Sequence, residues 1–282
     1  MNSNNVTRYY AVAEGATVGK IYPAPATMPT VEVNSSGKPQ AIYANGTALI
    51  IAGIDATHTT IYVDVNGNGV LNTSEDSSLK TLNIANAPDD ASDLRNCRVY
   101  GGSKENALAG NPKITMTGGD VLYIYGGGKG TGGDVTGDPA ITITGGNANS
   151  VYGGGSDGGM VTGSPKIAIT GGTPSSVYGG GDKADLIGNP VISMTGGEAG
   201  YVYGGGGKAD NSSGGDVTGD TSITVANSAV VKNTVYGGGN LTAVSGKATV
   251  NFNVPNGNEQ ITIYGGGNGG TQTATVGSTE VI

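Results

Sequence analysis

Residues 137–155 read GDPAITITGGNANSVYGGG, and the parts of this stretch return along almost two thirds of the chain. Its end is the stronger marker. An apolar residue, a tyrosine and a run of glycines recur at Val99-Tyr100, Ile124-Tyr125, Val151-Tyr152, Val177-Tyr178, Val202-Tyr203, Val235-Tyr236 and Ile263-Tyr264. The tyrosines lie 25 to 28 residues apart, except for a step of 33 between Tyr203 and Tyr236. The start of the stretch is a second marker in phase with the first. It appears as Gly110-Asn111-Pro112, Gly137-Asp138-Pro139, Gly163-Ser164-Pro165 and Gly188-Asn189-Pro190, then degenerates to Gly219-Asp220-Thr221 and Gly246-Lys247-Ala248. Two markers in register over so many copies define a repeat. A period of roughly 20 to 50 residues means a solenoid, a propeller or an array.

Each unit reads as three short strands. Val135 precedes the Gly-Asp-Pro turn, Ile141-Thr142-Ile143-Thr144 alternates with period two, and Gly145-Gly146 leads to Val151-Tyr152. Stacking the copies aligns four apolar columns, headed by Leu108, Ile114, Met116 and Val99. Regular β-branched columns suit strands that pair coil on coil, while no window has a 3.6-residue period and glycine interrupts every one. The sequence therefore predicts an all-β chain, with a right-handed parallel β-helix (β-solenoid) of about seven coils over 98–282. The glycines after each tyrosine are expected at corners needing positive φ, and the prolines where no ladder donor is wanted.

Residues 1–97 lack the repeat. They hold strand-like runs at 47–52, 60–63 and 80–84 between turn residues. A solenoid needs a terminal cap over its exposed backbone, and this segment is placed to be an N-terminal β cap. At the other end, 276–282 aligns with 135–141 after a small slip, so the chain reads as a piece of a longer protein that stops in mid-repeat.

Composition narrows the function classes. Of 282 residues 54 are glycine and one is phenylalanine, yet 36% are hydrophobic, which argues against both disorder and a large aromatic core. A net charge of −8, with all three arginines (Arg8, Arg95, Arg98) ahead of the second repeat, argues against nucleic acid as a partner. No apolar run approaches the roughly 20 residues that span a bilayer, so no membrane insertion is expected. The sole cysteine, Cys97, reads as a buried structural thiol.

The most specific chemical motif lies outside the array. Residues 64–75, DVNGNGVLNTSE, match the calcium-loop pattern D-x-[DN]-x-[DN]-G-x5-E at every defined position. Calcium takes six to eight oxygens, and this spacing offers Asp64, Asn66, Asn68, the Val70 carbonyl, Asn72 through a water and a bidentate Glu75. Two amide ligands lower the charge and point to weak, structural binding. The plainer reading is a polar Asn-Gly turn.

Within the array, Tyr125, Tyr152, Tyr178, Tyr203 and Tyr236 point outward or lie at a corner, where they are either a platform for sugar rings or a self-stacking ladder. The segments after each YGGG vary most and carry charges, among them Asp157, Asp182, Asp185 and Asp210. Variable loops on a rigid edge are where binding resides. Paired carboxylates such as Asp182 and Asp185 keep acid–base cleavage of a polysaccharide open as an alternative. The array has no histidine, and His58 reads as a turn residue. The outward threonines, such as Thr115 and Thr142, read as solvated strand.

The V-Y-G-G-G and G-[ND]-P-x-I-T-I-T-G-G repeats resemble those of long adhesin-like surface proteins of gut anaerobic bacteria, over roughly two thirds of the chain. The 64–75 loop resembles the calcium loops of dockerins and of β-rich bacterial surface domains. The resemblance implies an extracellular, cell-surface setting and carries no catalytic residues across. The expected function is a non-enzymatic surface module that adheres to glycans or to a surface protein; a β-helical lyase or hydrolase and a purely structural stalk are the alternatives.

Overall fold

The alternation of β-branched residues with threonine carries through to a chain of strands. In the computed structural model, residues 8–10, 29–33, 39–53, 59–64, 67–71, 77–78, 95–208, 213–254, 261–269 and 274–282 are described, and among them there is no helix. No described segment is therefore a helix long and apolar enough to cross a membrane. Each repeat contributes three strands, such as Val135–Thr136, Ala140–Ile143 and Asn147–Tyr152. Each pairs in parallel with its counterpart one repeat on: Val135 with Val161, Ile141 with Ile167 and Val151 with Val177. The chain is a parallel β-solenoid. Its seven repeat tyrosines delimit about six turns, close to the expected seven coils.

The four apolar columns divide between two cores. Those headed by Ile114, Met116 and Val99 fill the main interior, with Val121, Ala148, Ala199 and Val231 closing one corner. The column of Leu108, Val135, Val161, Leu186, Val217 and Val244 forms a separate small core. Opposite it run the glycines that follow the tyrosines, and here the expectation of positive φ fails. The backbone of Gly126 and Gly127 is not in that region. Close approach is what demands glycine. A Cβ on Gly127 would meet Val161 Cγ2 at 2.7 Å and the backbone of Gly155 at 2.8 Å, and one on Gly126 would meet the Pro139 ring at 2.7 Å. The two sequence markers are thus in phase because they touch. Positive φ belongs instead to the glycine that opens the turn before proline, as at Gly137 (φ 149°), and to the second glycine of the Gly-Gly turn, as at Gly146 (φ 86°).

The turn residue next to proline has a role that the sequence reading missed. Asn111 Oδ1 accepts the Asp138 N–H at 2.7 Å, Asp138 Oδ1 accepts the Ser164 N–H at 2.7 Å, and the Ser164 hydroxyl accepts the Asn189 N–H at 3.0 Å. Asn189 and Asp220 continue the series. Each side chain satisfies a backbone donor one coil on, where the turn geometry denies it a strand partner.

The N-terminal region holds β1 (Arg8–Tyr10), β2 (Thr30–Val33), β3 (Pro39–Tyr43), β4 (Leu49–Gly53), β5 (Thr59–Val63) and β6 (Ser77–Ser78). Two of the expected runs, 47–52 and 60–63, are β4 and β5; the third, 80–84, lies outside the described residues. The stacking starts earlier than the repeat does. β3 pairs in parallel with Arg98–Tyr100, setting Tyr43 beside Tyr100, and β4 pairs in parallel with Lys113–Met116. Ile42-Tyr43 is therefore a degenerate copy of the apolar-tyrosine marker, and residue 97 marks where the repeat becomes recognisable. Beyond it the pairing turns antiparallel, β1 on β2 on β3 and β6 on β5 on β4, which covers the end of the parallel stack. Cys97, fully buried, donates from Sγ to the Pro39 carbonyl at 3.2 Å, as a structural thiol does.

Candidate functional site

The tyrosines leave the sheet on its outer side and stack into one ladder. Tyr43, Tyr100, Tyr125, Tyr152, Tyr178, Tyr203, Tyr236 and Tyr264 have neighbouring ring centroids 4.5 to 5.1 Å apart and planes within 15° of parallel. That separation is the strand spacing of the solenoid, so the backbone sets the stack. The faces a sugar would need at Tyr125, Tyr152, Tyr178 and Tyr203 are taken by neighbouring rings, and these four are buried. Only the last rung, Tyr264, is half exposed, at 50%. Burial pushes the Tyr100 phenol up to about 12, and burial with the neighbouring Asp182 charge also raises Tyr125.

The segments after each YGGG fold back over this ladder. Lys129, Ser156, Asp182, Gly207, Asn240 and Asn268 form a column of single parallel bridges, each four residues after its tyrosine. Four of them, Ser156, Asp182, Asn240 and Asn268, reach back two coils with their side chains. Ser156 Oγ donates to the Tyr100 hydroxyl at 3.4 Å, and the Tyr125 hydroxyl donates to Asp182 Oδ2 at 3.3 Å. Asn240 and Asn268 hydrogen-bond the Tyr178 and Tyr203 hydroxyls in the same way. The fixed offset of this position from tyrosine was legible in the sequence; the two-coil reach of its polar side chains was not, because it is a contact between coils.

The acidic candidates are spread along this edge. Asp182 is half-buried on the ladder, Asp157 is exposed with φ 51°, and Asp185 Oδ1 accepts the Asp216 N–H at 3.1 Å. Asp182 and Asp185 are thus both tied into the scaffold. Asp210 and His58 lie outside the described residues. Two aromatic residues not singled out in the sequence flank the ladder, two positions before its rungs: Tyr201, 39% exposed, and Tyr123, with Arg98 5.4 Å from its ring centroid. Just past the end of its strand, the Thr144 hydroxyl donates to the Met116 carbonyl at 3.4 Å.

The 64–75 loop leaves the end of β5. Asp64 is 5% exposed; its Oδ2 accepts the Gly69 N–H at 2.8 Å, and its buried Oδ1 has no hydrogen-bond partner. Asn68 Oδ1 accepts the Val70 N–H at 2.7 Å, and Gly67 and Gly69 take positive φ, 67° and 74°. Asn66, Asn72 and Glu75 lie outside the described residues. The loop rests on the first coil, where Lys113 Nζ is 3.5 Å from the Gly67 carbonyl and a Cβ on Gly69 would be 3.0 Å from Thr115 Oγ1. Among the described residues no three His, Cys, Asp or Glu side chains come together. Comparison with known protein families, with curated proteins and with solved structures finds no match to this chain.

Proposed function

We propose that this chain is a rigid, non-enzymatic binding module of an adhesin-like protein on an extracellular bacterial surface. The observation that carries the reading is the column over the tyrosine ladder. Backbone bridges hold Lys129, Ser156, Asp182, Gly207, Asn240 and Asn268 in register while the residue type changes from coil to coil. The scaffold is uniform and its edge is not, which is how a rigid fold carries specificity. The buried ladder supplies stiffness, and contact falls to the loops and to the flanking Tyr123 and Tyr201. The partner is a glycan or a surface protein.

A glycan array with a product assay on the same polysaccharides tests this. Binding without product, weakened by Tyr201→Ala, is the expected result. Release of shortened or unsaturated sugars would make the chain a lyase or hydrolase. Silence toward both glycans and bacterial or host surface proteins would leave a structural stalk.

A further inference from the structure

Tyr201 has ring faces that no neighbouring coil covers with a ring. It stands beside Tyr203 with centroids 6.2 Å apart and planes 22° from parallel, so its faces look nearly along the rod, as those of the ladder do. In the ladder the next ring meets each face, and Tyr203 is 5% exposed. The coil neighbours of Tyr201 are instead Ser176 and Thr234, and it is 39% exposed. Thr262 follows Thr234, so on that side two successive coils carry only short side chains in this column. Tyr123, the other aromatic residue of the column, has Arg98 5.4 Å from its ring centroid and is more buried.

The backbone is irregular on both sides of this ring. The Ser175 carbonyl accepts two successive N–H groups, Gly200 at 3.0 Å and Tyr201 at 3.1 Å. On the other side Ala199 pairs with Val231 and Tyr201 with Thr234, so Gly200 alone faces both Lys232 and Asn233. Such bulges re-aim side chains and recur beside functional sites. Gly200 permits the close approach: a Cβ there would lie 2.6 Å from the Ser175 carbonyl oxygen and 3.4 Å from Asn233 Nδ2. The exposed Asn233 side chain therefore leans back toward the strand that carries Tyr201, while Lys232 is held by Glu198.

We propose that Tyr201 is a carbohydrate platform that takes an uncharged, equatorially substituted pyranose on its Thr234 side. Successive coils lie about 4.8 Å apart, so a sugar ring standing over Thr234 stacks on Tyr201 at the ladder's own separation. It takes the place that a tyrosine at 234 would hold. A gluco- or xylo-configured ring shows only C–H bonds on its faces and carries its hydroxyls around the rim. An axial hydroxyl would be pressed, unpaired, against the aromatic face. The Asn233 amide, beside this place, offers donors and an acceptor to the rim hydroxyls. Lys232 and Glu198 are the charged residues of the two strands and neutralise each other, which leaves nothing to recruit an acidic sugar. The inference rests on the binding-module reading and names its ligand class and point of contact.

The test uses the full chain. Calorimetric titration and saturation-transfer NMR are run with cellohexaose and xylohexaose as uncharged probes and a galacturonate hexamer as the acidic one. Wild type should bind the first two and not the third. Tyr201→Ala and Thr234→Leu, which remove or cover the face, should weaken binding by about tenfold. Tyr201→Phe, which keeps the face, and Ser176→Leu, on the opposite side, should bind within about threefold of wild type. Melting curves establish that each variant is folded, and if Tyr201→Ala is not, the contrast between Thr234→Leu and Ser176→Leu still decides. Binding untouched by Tyr201→Ala, or weakened equally by both leucine variants, would overturn the site. Preference for the galacturonate hexamer would overturn the ligand class. No binding of either uncharged probe, with capture of another glycan or of a surface protein, would sink this inference and leave the binding-module reading standing; silence toward all of them would sink both.

Discussion

Gly127 and Gly266 look alike in the sequence, each the second glycine after a tyrosine, yet they stand in different surroundings. A Cβ on Gly127 would press on Val161 and on the Gly155 backbone, whereas one on Gly266 would meet nothing within 4 Å. Gly127→Ala should destabilise by about 1 to 3 kcal/mol, as overpacking of a tight core does, and Gly266→Ala by less than about 0.5 kcal/mol. Urea unfolding of both variants checks the contrast. That glycine recurs at this position was legible from the sequence; which copies require it was not, because steric refusal of a Cβ depends on the next coil. Glu32 offers a second residue-scale outcome. Its carboxylate is partly buried, which opposes charge, but Lys104 at 2.7 Å and the Tyr43 hydroxyl at 2.9 Å prevail and hold its pKa below the ordinary value. A lowered folded pKa means that stability is present above the unfolded value and is lost as pH falls through the folded one. Between pH 5 and pH 3 the wild-type melting temperature should therefore fall further than that of Glu32→Gln.

The tyrosine ladder is an element in its own right. The sequence left it open between platform and self-stacking column, and burial decides, since six of its rungs are no more than 9% exposed. Tyr178 touches rings on both sides, 4.5 Å to Tyr152 and 4.7 Å to Tyr203. Tyr178→Ala should cost about 3 to 5 kcal/mol through the cavity and the two lost contacts, and Tyr264→Ala at the exposed end less than about 1 kcal/mol. Thermal unfolding of the two variants measures the difference; equal losses would mean that the stack adds nothing beyond each ring's own burial. Tyr123 and Tyr201, beside this element, escaped the sequence reading because their shared column, Arg98, Tyr123, Ser150, Ser176, Tyr201, Thr234 and Thr262, keeps no residue type from coil to coil.

At the scale of the molecule, the all-β solenoid, its strand pattern and its apolar columns were all legible, since every coil writes them again. What was not legible came from single copies: the degenerate coil at 39–53, whose Ile42-Tyr43 lacks the glycine run, and the pairing of the cap. The stacked architecture makes a length prediction. Deleting residues 153–178, one whole coil, joins Tyr152 to Gly179 in register and should leave a folded protein with reduced stability. Deleting 153–165, half a coil, sets inward residues against outward ones and should abolish the cooperative transition seen by circular dichroism.

The bonds from Ser156, Asp182, Asn240 and Asn268 to tyrosines two coils back bear on how such a rod fails under load. Were each coil tied only to its neighbour, tension would peel the rod one turn at a time. With the stitch doubled, the outermost turn cannot come away until the grip of the second is broken. A single molecule stretched from its C-terminal end should first lengthen by a jump of two coils, about 180 Å of released chain, where an Asn240→Ala, Asn268→Ala double variant, which removes the stitches at that end, lengthens in single-coil jumps of about half that.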